Sequence, residues 1–149
     1  MTKAGLLACS IAVAMGMANA SFADDLKFSP AAPGAPFSSA VQVGDILYLS
    51  GQIGTGPDGQ LVKEWSAQTR QAMNNIRDVL KAHGLTMDNV FKCTVMLADM
   101  NRWSDFNAIY LDYFKPDRLP ARSAIGANGL AKGAGSEIEC MAHIPAKAN

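Results

Sequence analysis

The sequence carries little charge and no excess of either sign. Of its 149 residues 17% are charged, and Lys plus Arg and Asp plus Glu each total 13. A neutral balance offers no basic surface that would attract nucleic acid or an anionic membrane, so we expect neither as a partner. A chain of this length forms one domain with at most a tail.

Cysteine is scarce, and the motifs of several enzyme classes are missing. Three cysteines are too few for a disulfide scaffold. His83 and His143 have no partners at ligand spacing, so we expect no metal site and no metal cofactor. No serine lies in a G-x-S-x-G context, and Gly54–Gly59 lacks the Lys-Ser/Thr of a phosphate loop. These absences argue against a nucleophilic enzyme.

Residues 1–23 differ in composition from the rest of the chain. A single basic residue precedes an apolar run over 6–17, and small residues lead to Ala23. This pattern is typical of a secretory signal peptide, and the run is shorter than the ~20 residues that span a bilayer. We expect cleavage near Ala23, with Ala20 as the alternative site, and a periplasmic domain over residues 24–149.

Export bears on the cysteines. Cleavage removes Cys9 and leaves Cys93 and Cys140 in a compartment that permits a disulfide. Sequence alone does not show whether the two residues meet, so both redox states stay open. Cleavage also removes one basic residue and no acid, which leaves a slight acidic excess.

The remaining residues alternate between strand and helix patterns. An extended arm over 24–39 precedes strands predicted at 40–43, 46–53, 90–97, 122–127 and 137–144. Apolar spacing predicts one helix over 65–83 and a second over 101–115, whose aromatic stripe reads as core. The order predicts an α+β domain with a mixed sheet and both helices on one face. The other face must be solvated or buried against another subunit.

Two charged positions stand out from this core pattern. Arg122 begins an otherwise small and apolar strand, and its planar fork matches a carboxylate. Glu137 and Glu139 alternate with apolar residues in the last strand. Arg122 and an acid in one sheet form either a salt bridge or a site in which Arg122 binds a carboxylate beside a Glu that holds water.

The order and spacing of several motifs resemble the RidA/YjgF family, whose older label is L-PSP endoribonuclease. The resemblance covers about residues 30–144. It is carried by these segments and residues: Tyr48–Ile53, Gln71–Ile76, Lys92–Val95, Phe106–Asn107, Tyr110, Phe114, Pro120–Ser123 and Glu137–Glu139.

The resemblance implies a chorismate-mutase-like fold, a homotrimer with clefts between subunits, and a cofactor-free reaction. Family members hydrolyse reactive enamines and imines, such as 2-aminoacrylate, to 2-oxo acids and ammonia. By the same resemblance Arg122 binds the substrate carboxylate and Glu137 holds or polarises the attacking water. The positions implied to shape the cleft are Phe37, Ser50, Gly51, Asn107, Ser123 and Ala124.

The sequence departs from the family pattern at two of these positions and in its leader. Phe37 stands where a Tyr is common, so a hydroxyl is lost while the aromatic wall remains. Ala124 stands where Cys is frequent. An exported member meets different molecules from those met by a cytosolic or organellar one. Substrate choice is therefore open, while Arg122 and Glu137 are retained.

Three functions compete. The first is an exported imine and enamine deaminase, and the second is a non-catalytic periplasmic protein that holds a small carboxylate at Arg122. The third is the ribonuclease of the older family label. The absence of a basic cluster argues against RNA as the ligand, so the ribonuclease ranks last.

Overall fold

A seven-stranded mixed sheet forms the frame of the protein. The computed structural model describes residues 26–146, and the predicted signal peptide lies outside them. The strands are β1 (Leu26–Pro30), β2 (Ser38–Val43), β3 (Ile46–Leu49), β4 (Gln52–Ile53), β5 (Val90–Leu97), β6 (Ala121–Gly126) and β7 (Ser136–His143). The helices are α1 (Trp65–Ala82) and α2 (Trp103–Leu111), with short 3₁₀ turns at Met87–Asn89, Met100–Arg102 and Ala131–Gly133.

The strands lie in the order β1-β2-β3-β7-β5-β6, and β4 continues beside β7. Only β5 and β6 pair in parallel among the described strands; the other pairs are antiparallel. A parallel pair needs a crossover connection, and α2 supplies it. Helix α2 therefore leads directly into β6, the strand that contains Arg122.

The sheet has one covered and one open face, as the alternating pattern predicts. Cys93, Val95 and Leu97 of β5 are fully buried, while the residues between them are half-buried on the other face. The helices pack on the buried face and form one core with it. The predicted α+β class and the placement of both helices on one face are confirmed.

Helix α1 begins and ends where the sequence predicts. The Glu64 side chain accepts hydrogen bonds from the backbone N–H groups of Ser66 and Ala67, which have no partner inside the helix. Gly84 ends the helix with φ +71°, a conformation that glycine adopts without a steric penalty. No helix in residues 26–146 is long and apolar enough to cross a membrane.

Helix α2 is shorter than the predicted span over 101–115. Asp99 accepts a hydrogen bond from the Asn101 N–H, and this cap starts a 3₁₀ turn before the α-helix begins at Trp103. After Leu111 the hydrogen bonds change to the tighter i to i+3 type, as at Tyr113 N–H to Tyr110. The apolar spacing therefore continues beyond the α-helical segment.

Two strand predictions also need correction. The arm over 24–39 contains strand β1, which pairs with β2; an edge strand tolerates a proline such as Pro30 because one side of its backbone stays unpaired. The predicted strand over 46–53 is broken at Ser50 and Gly51. There the chain leaves β2, and β4 pairs with β7.

Candidate functional site

Arg122 lies on the edge strand β6 and points to the helical side of the sheet. Its register partner is Cys93, which is buried on that side. The guanidinium Cζ is 4.6 Å from the ring centroid of Trp103 and 4.6 Å from that of Tyr110. We call Trp103, Asn107, Tyr110 and Arg122 the Arg122 cluster.

A cavity of about 360 Å³ opens beside this cluster. Its lining combines polar and apolar side chains from α2 and from the approach to β6: Asn107, Tyr110, Leu111, Leu119, Pro120 and Arg122. The side-chain oxygens of Asn107 and Tyr110 are buried and make no hydrogen bond to any part of the chain that the structure describes. Buried polar atoms without partners are rare in folded proteins, and here they lie at a cavity whose volume is within the range of small-molecule sites.

Burial raises the pKa of the Tyr110 phenol to about 12, against a smaller opposing effect of the Arg122 charge. A phenol keeps its proton at neutral pH even at its ordinary pKa of about 10, and burial strengthens this preference. The Tyr110 hydroxyl is therefore able to donate a hydrogen bond.

Glu137 lies on β7 and points to the open face. Its neighbours Ser136 and Ile138 are fully buried on the helical side. A Cβ at position 51 would collide with the Glu137 carboxylate, so glycine makes room for this side chain beside the break between β3 and β4. Ser50 precedes this glycine, and its Oγ donates a 2.6 Å hydrogen bond to the carbonyl of Ser38.

Phe37 directly precedes Ser38 and therefore lies next to the Ser50 hydrogen bond. Its side chain is 58% exposed, although it is aromatic. We call Phe37, Ser50, Gly51 and Glu137 the Glu137 cluster. Gly51 lies against the Glu137 carboxylate, and the hydrogen bond from Ser50 to the Ser38 carbonyl holds the backbone next to Phe37 close to Ser50.

Ser123 and Ala124 are divided between the two faces because successive strand residues alternate. Ser123 accepts a 2.8 Å hydrogen bond from Lys92 Nζ, and Lys92 belongs to the open face. Ala124 follows on the side of Arg122 and is exposed.

The predicted pair Arg122 and Glu137 is not brought together within one copy of the chain. The two side chains point to opposite faces of the sheet, with β5 between their strands. Among residues 26–146 neither makes a salt bridge. The salt-bridge alternative is therefore wrong for a single copy, and a site that uses both groups needs a second copy.

The cysteines left open by the sequence form a disulfide. Cys93 and Cys140 face each other across β5 and β7, with their Cα atoms 4.1 Å apart. Both are buried in the core. The bond joins the strand that carries Glu137 to the strand that pairs with β6.

The histidines have ordinary structural partners. His83 Nε2 lies 3.1 Å from the Ser29 hydroxyl, and His143 Nε2 lies 3.6 Å from the Asp45 carboxylate. Within the described range, no three His, Cys, Asp or Glu side chains come close enough to bind a metal ion.

Sequence reasoning missed the role of two α2 residues at this site. The sequence placed Trp103 and Tyr110 in the aromatic stripe of the second helix, and Tyr110 also among the family motifs, but it assigned neither a role beside Arg122, which both contact. The signal was present in the order of the elements. A helix that connects two parallel strands packs against the strand that follows it, so its stripe meets the inward residues of that strand.

Comparison with protein families and curated relatives gives a consistent result. The model of the family described as Endoribonuclease L-PSP matches residues 28–144. The mouse protein named 2-iminobutanoate/2-iminopropanoate deaminase is 46% identical over 116 residues, which cover 76% of this chain and 84% of the mouse protein. The human protein of that name is 47% identical over 115 residues, covering 74% and 83%.

Solved structures agree with the sequence matches. The Rid-family protein YyfA of Yersinia pestis superposes with a TM-score of 0.72 at 44% identity, covering 78% of this chain and 93% of that one. RidA from an Antarctic Psychrobacter gives a TM-score of 0.72 at 32% identity, covering 80% and 98%. The fold expected from the motifs is confirmed.

Proposed function

Because this chain belongs to the Endoribonuclease L-PSP family, also known as RidA, we propose that it is an imine and enamine deaminase. Its substrates are 2-imino acids and their 2-aminoacrylate-type tautomers, and its products are 2-oxo acids and ammonia. The names of the mouse and human relatives support this reaction. The neutral charge provides no basic surface for RNA, so we do not propose a ribonuclease.

The proposal rests on one observation, namely that the N–H donors of Arg122 have no partner among the described residues and lie at a cavity. Its guanidinium lines a cavity of about 360 Å³ and makes no hydrogen bond or salt bridge to the residues described. A guanidinium whose N–H donors are unpaired can bind a carboxylate through two parallel hydrogen bonds. A 2-imino acid presents such a carboxylate next to its reactive C=N carbon.

Glu137 supplies the second function. As the water oxygen bonds to the imine carbon, one water proton passes to the Glu137 carboxylate and the C=N π electrons move to the nitrogen. Glu137 then returns this proton to the nitrogen, which gives the carbinolamine. The carbinolamine hydroxyl proton passes through Glu137 to the nitrogen as the C–N bond breaks, so ammonia leaves and the 2-oxo acid remains. The imine is already electrophilic, so orientation, one charge anchor and a placed water are sufficient.

A homotrimer completes the site in this proposal. Arg122 of one copy and Glu137 of the next line a shared cleft, because the two groups face opposite sides of the sheet in each copy. The open face supports association, since it exposes large apolar side chains such as Phe28, Tyr48 and Ile125. Large apolar side chains exposed along one face of a sheet favour an interface with another copy.

We further propose that the protein is exported. The leader pattern of residues 1–23 and the buried Cys93–Cys140 disulfide both support this, because disulfides persist in oxidising compartments. The N-terminal residue of the protein recovered from cells tests it. A retained Met1 would contradict export by cleavage.

A trapping assay tests the reaction. An amino-acid oxidase generates 2-iminopropanoate, semicarbazide traps the imine, and the purified protein competes by converting it to pyruvate. We expect less semicarbazone with the wild type, and no such effect with Arg122→Ala. An unchanged yield with the wild type would refute the deaminase for this substrate. Pyruvate binding by such an inactive protein would favour the carboxylate-binding alternative.

A further inference from the structure

The guanidinium of Arg122 is surrounded by the rings of α2 rather than by acids. Trp103 and Tyr110 lie two helical turns apart, and each ring centroid is 4.6 Å from Cζ. Phe106, between them on the same stripe, is 6.0 Å away. A cation within about 6 Å of an aromatic face is attracted by the ring quadrupole.

This way of holding an arginine differs from the usual carboxylate pair. An aromatic ring attracts the charge of a guanidinium without accepting hydrogen bonds from its N–H donors, which lie in the guanidinium plane. A carboxylate partner would occupy those donors and neutralise the charge. Aromatic faces fix the position of the group and leave both the donors and the charge available for a ligand.

The rings are themselves held in place. Trp103 stacks with Phe106 at 6.3 Å between centroids, Phe106 contacts Tyr110 at 5.7 Å, and Tyr110 contacts Phe114 at 4.7 Å. Phe106 is fully buried and Tyr110 is 3% exposed. An arginine held against such a surface loses less side-chain freedom when it binds a ligand than a free one does.

We infer that Trp103 and Tyr110 are positioning residues that form an aromatic seat for Arg122 and present its fork to the substrate carboxylate. The inference rests on the proposed role of Arg122 as the carboxylate anchor. The seat acts through Arg122, so its loss weakens carboxylate binding and leaves the chemical step largely intact.

Binding of pyruvate to the full protein tests the seat without relying on catalysis. The arginine Nε–Hε signals are followed by ¹H–¹⁵N NMR, and Arg122→Lys identifies the signal of Arg122. In the wild type we expect this Hε to be shifted upfield by the two rings and to respond to pyruvate. Trp103→Leu and Tyr110→Leu should move it downfield and weaken pyruvate binding about tenfold, because the unseated side chain must be ordered on binding.

Two variants separate the seat from general packing. Tyr110→Phe keeps the ring and removes only the hydroxyl, so we expect the Arg122 Hε signal to keep its upfield position. A downfield movement of this signal as large as that in Tyr110→Leu would contradict the seat. Trp65→Leu removes a similar contact elsewhere, because the Trp65 ring lies 5.4 Å from Cζ of Arg102. It should leave the Arg122 signal and pyruvate binding unchanged. In the imine assay, Trp103→Leu should raise KM about tenfold and change kcat by less than about threefold.

The outcomes distinguish this inference from the proposed function. Circular dichroism checks that each variant folds. If Tyr110→Leu does not fold, Trp103→Leu still tests the seat, because Trp103 is only half-buried and its replacement disturbs the core less. If Arg122→Lys abolishes pyruvate binding while folded Trp103→Leu binds like wild type, the seat is refuted and the anchor stands. If Arg122→Lys binds pyruvate as well as wild type, the anchor fails and the seat fails with it.

Discussion

The Arg122 cluster and the Glu137 cluster lie on one sheet but are held by different means. Arg122 is on an edge strand, and the rings of α2 hold its guanidinium. Glu137 is on β7, with strands on both sides, and its carboxylate lies against the backbone of Gly51. The first cluster therefore depends on aromatic side chains that pack against the guanidinium. The second depends on the absence of a Cβ atom at Gly51, which leaves room for the carboxylate. Substitutions that remove atoms should damage the first, and substitutions that add atoms should damage the second.

The largest expected effect is at Glu137. Glu137→Gln keeps the shape of the side chain but removes the base that accepts the water proton. Because general base catalysis contributes about 10²–10⁴-fold, we expect kcat to fall by that factor with little change in KM. Steady-state kinetics of imine hydrolysis measure both.

Glu139→Gln is the matched control for this substitution. Glu139 lies two residues further along β7 on the same open face, but it has no glycine beside it. We expect it to retain most of the wild-type kcat. If Glu139→Gln lost activity and Glu137→Gln did not, the assignment of the base would be reversed.

The disulfide links the strands that lie between the two clusters. Cys93→Ala combined with Cys140→Ala should lower the free energy of unfolding by about 4 kcal/mol, the chain-entropy value for a separation of 47 residues. Urea unfolding of the double variant and of reduced wild type measures the loss. Equal midpoints for oxidised and reduced wild type would show that the bond does not stabilise the fold.

Much of the frame that carries the clusters was predictable from local patterns. The alternation at Cys93, Val95 and Leu97 identified the buried face of β5, and the capped apolar stripe identified α1. The relative position of Arg122 and Glu137 was not predictable. It depends on strand order and on register across distant pairings, and a shift of one residue would turn either side chain to the other face.

The Glu137 cluster can be tested by adding an atom. Gly51→Ala places a methyl group where the Glu137 carboxylate now lies, so the carboxylate must move. A displacement of about 1 Å in a catalytic group lowers turnover about 100-fold, and we expect this fall in kcat. The stability should change little, because the obstructed atoms are at the end of a flexible side chain. A normal kcat would show that the Glu137 position is not critical.

Mixing variants tests whether the two clusters meet between copies. Arg122→Ala and Glu137→Gln should each be inactive alone. After the two proteins are unfolded together in equal amounts and refolded, about one quarter of the sites should combine two intact clusters if copies associate at random. Activity near one quarter of wild type is the expected result. Activity no higher than that of the separate variants would contradict a shared cleft.

The smallest effect is expected at the exposed edge of the Glu137 cluster. Phe37 is 58% exposed, so a hydroxyl on its ring can be added without burying a polar group. One additional hydrogen bond to a polar substrate contributes about 0.5–1.5 kcal/mol, so Phe37→Tyr should change kcat/KM by about two- to tenfold. The thermal midpoint should stay unchanged. The comparison of 2-iminopropanoate with a bulkier apolar imine is decisive, because a hydroxyl that contacts substrate should favour the smaller and more polar one. An equal change for both imines would place Phe37 outside the contact region and leave Ser50, Gly51 and Glu137 as the cluster that meets the substrate.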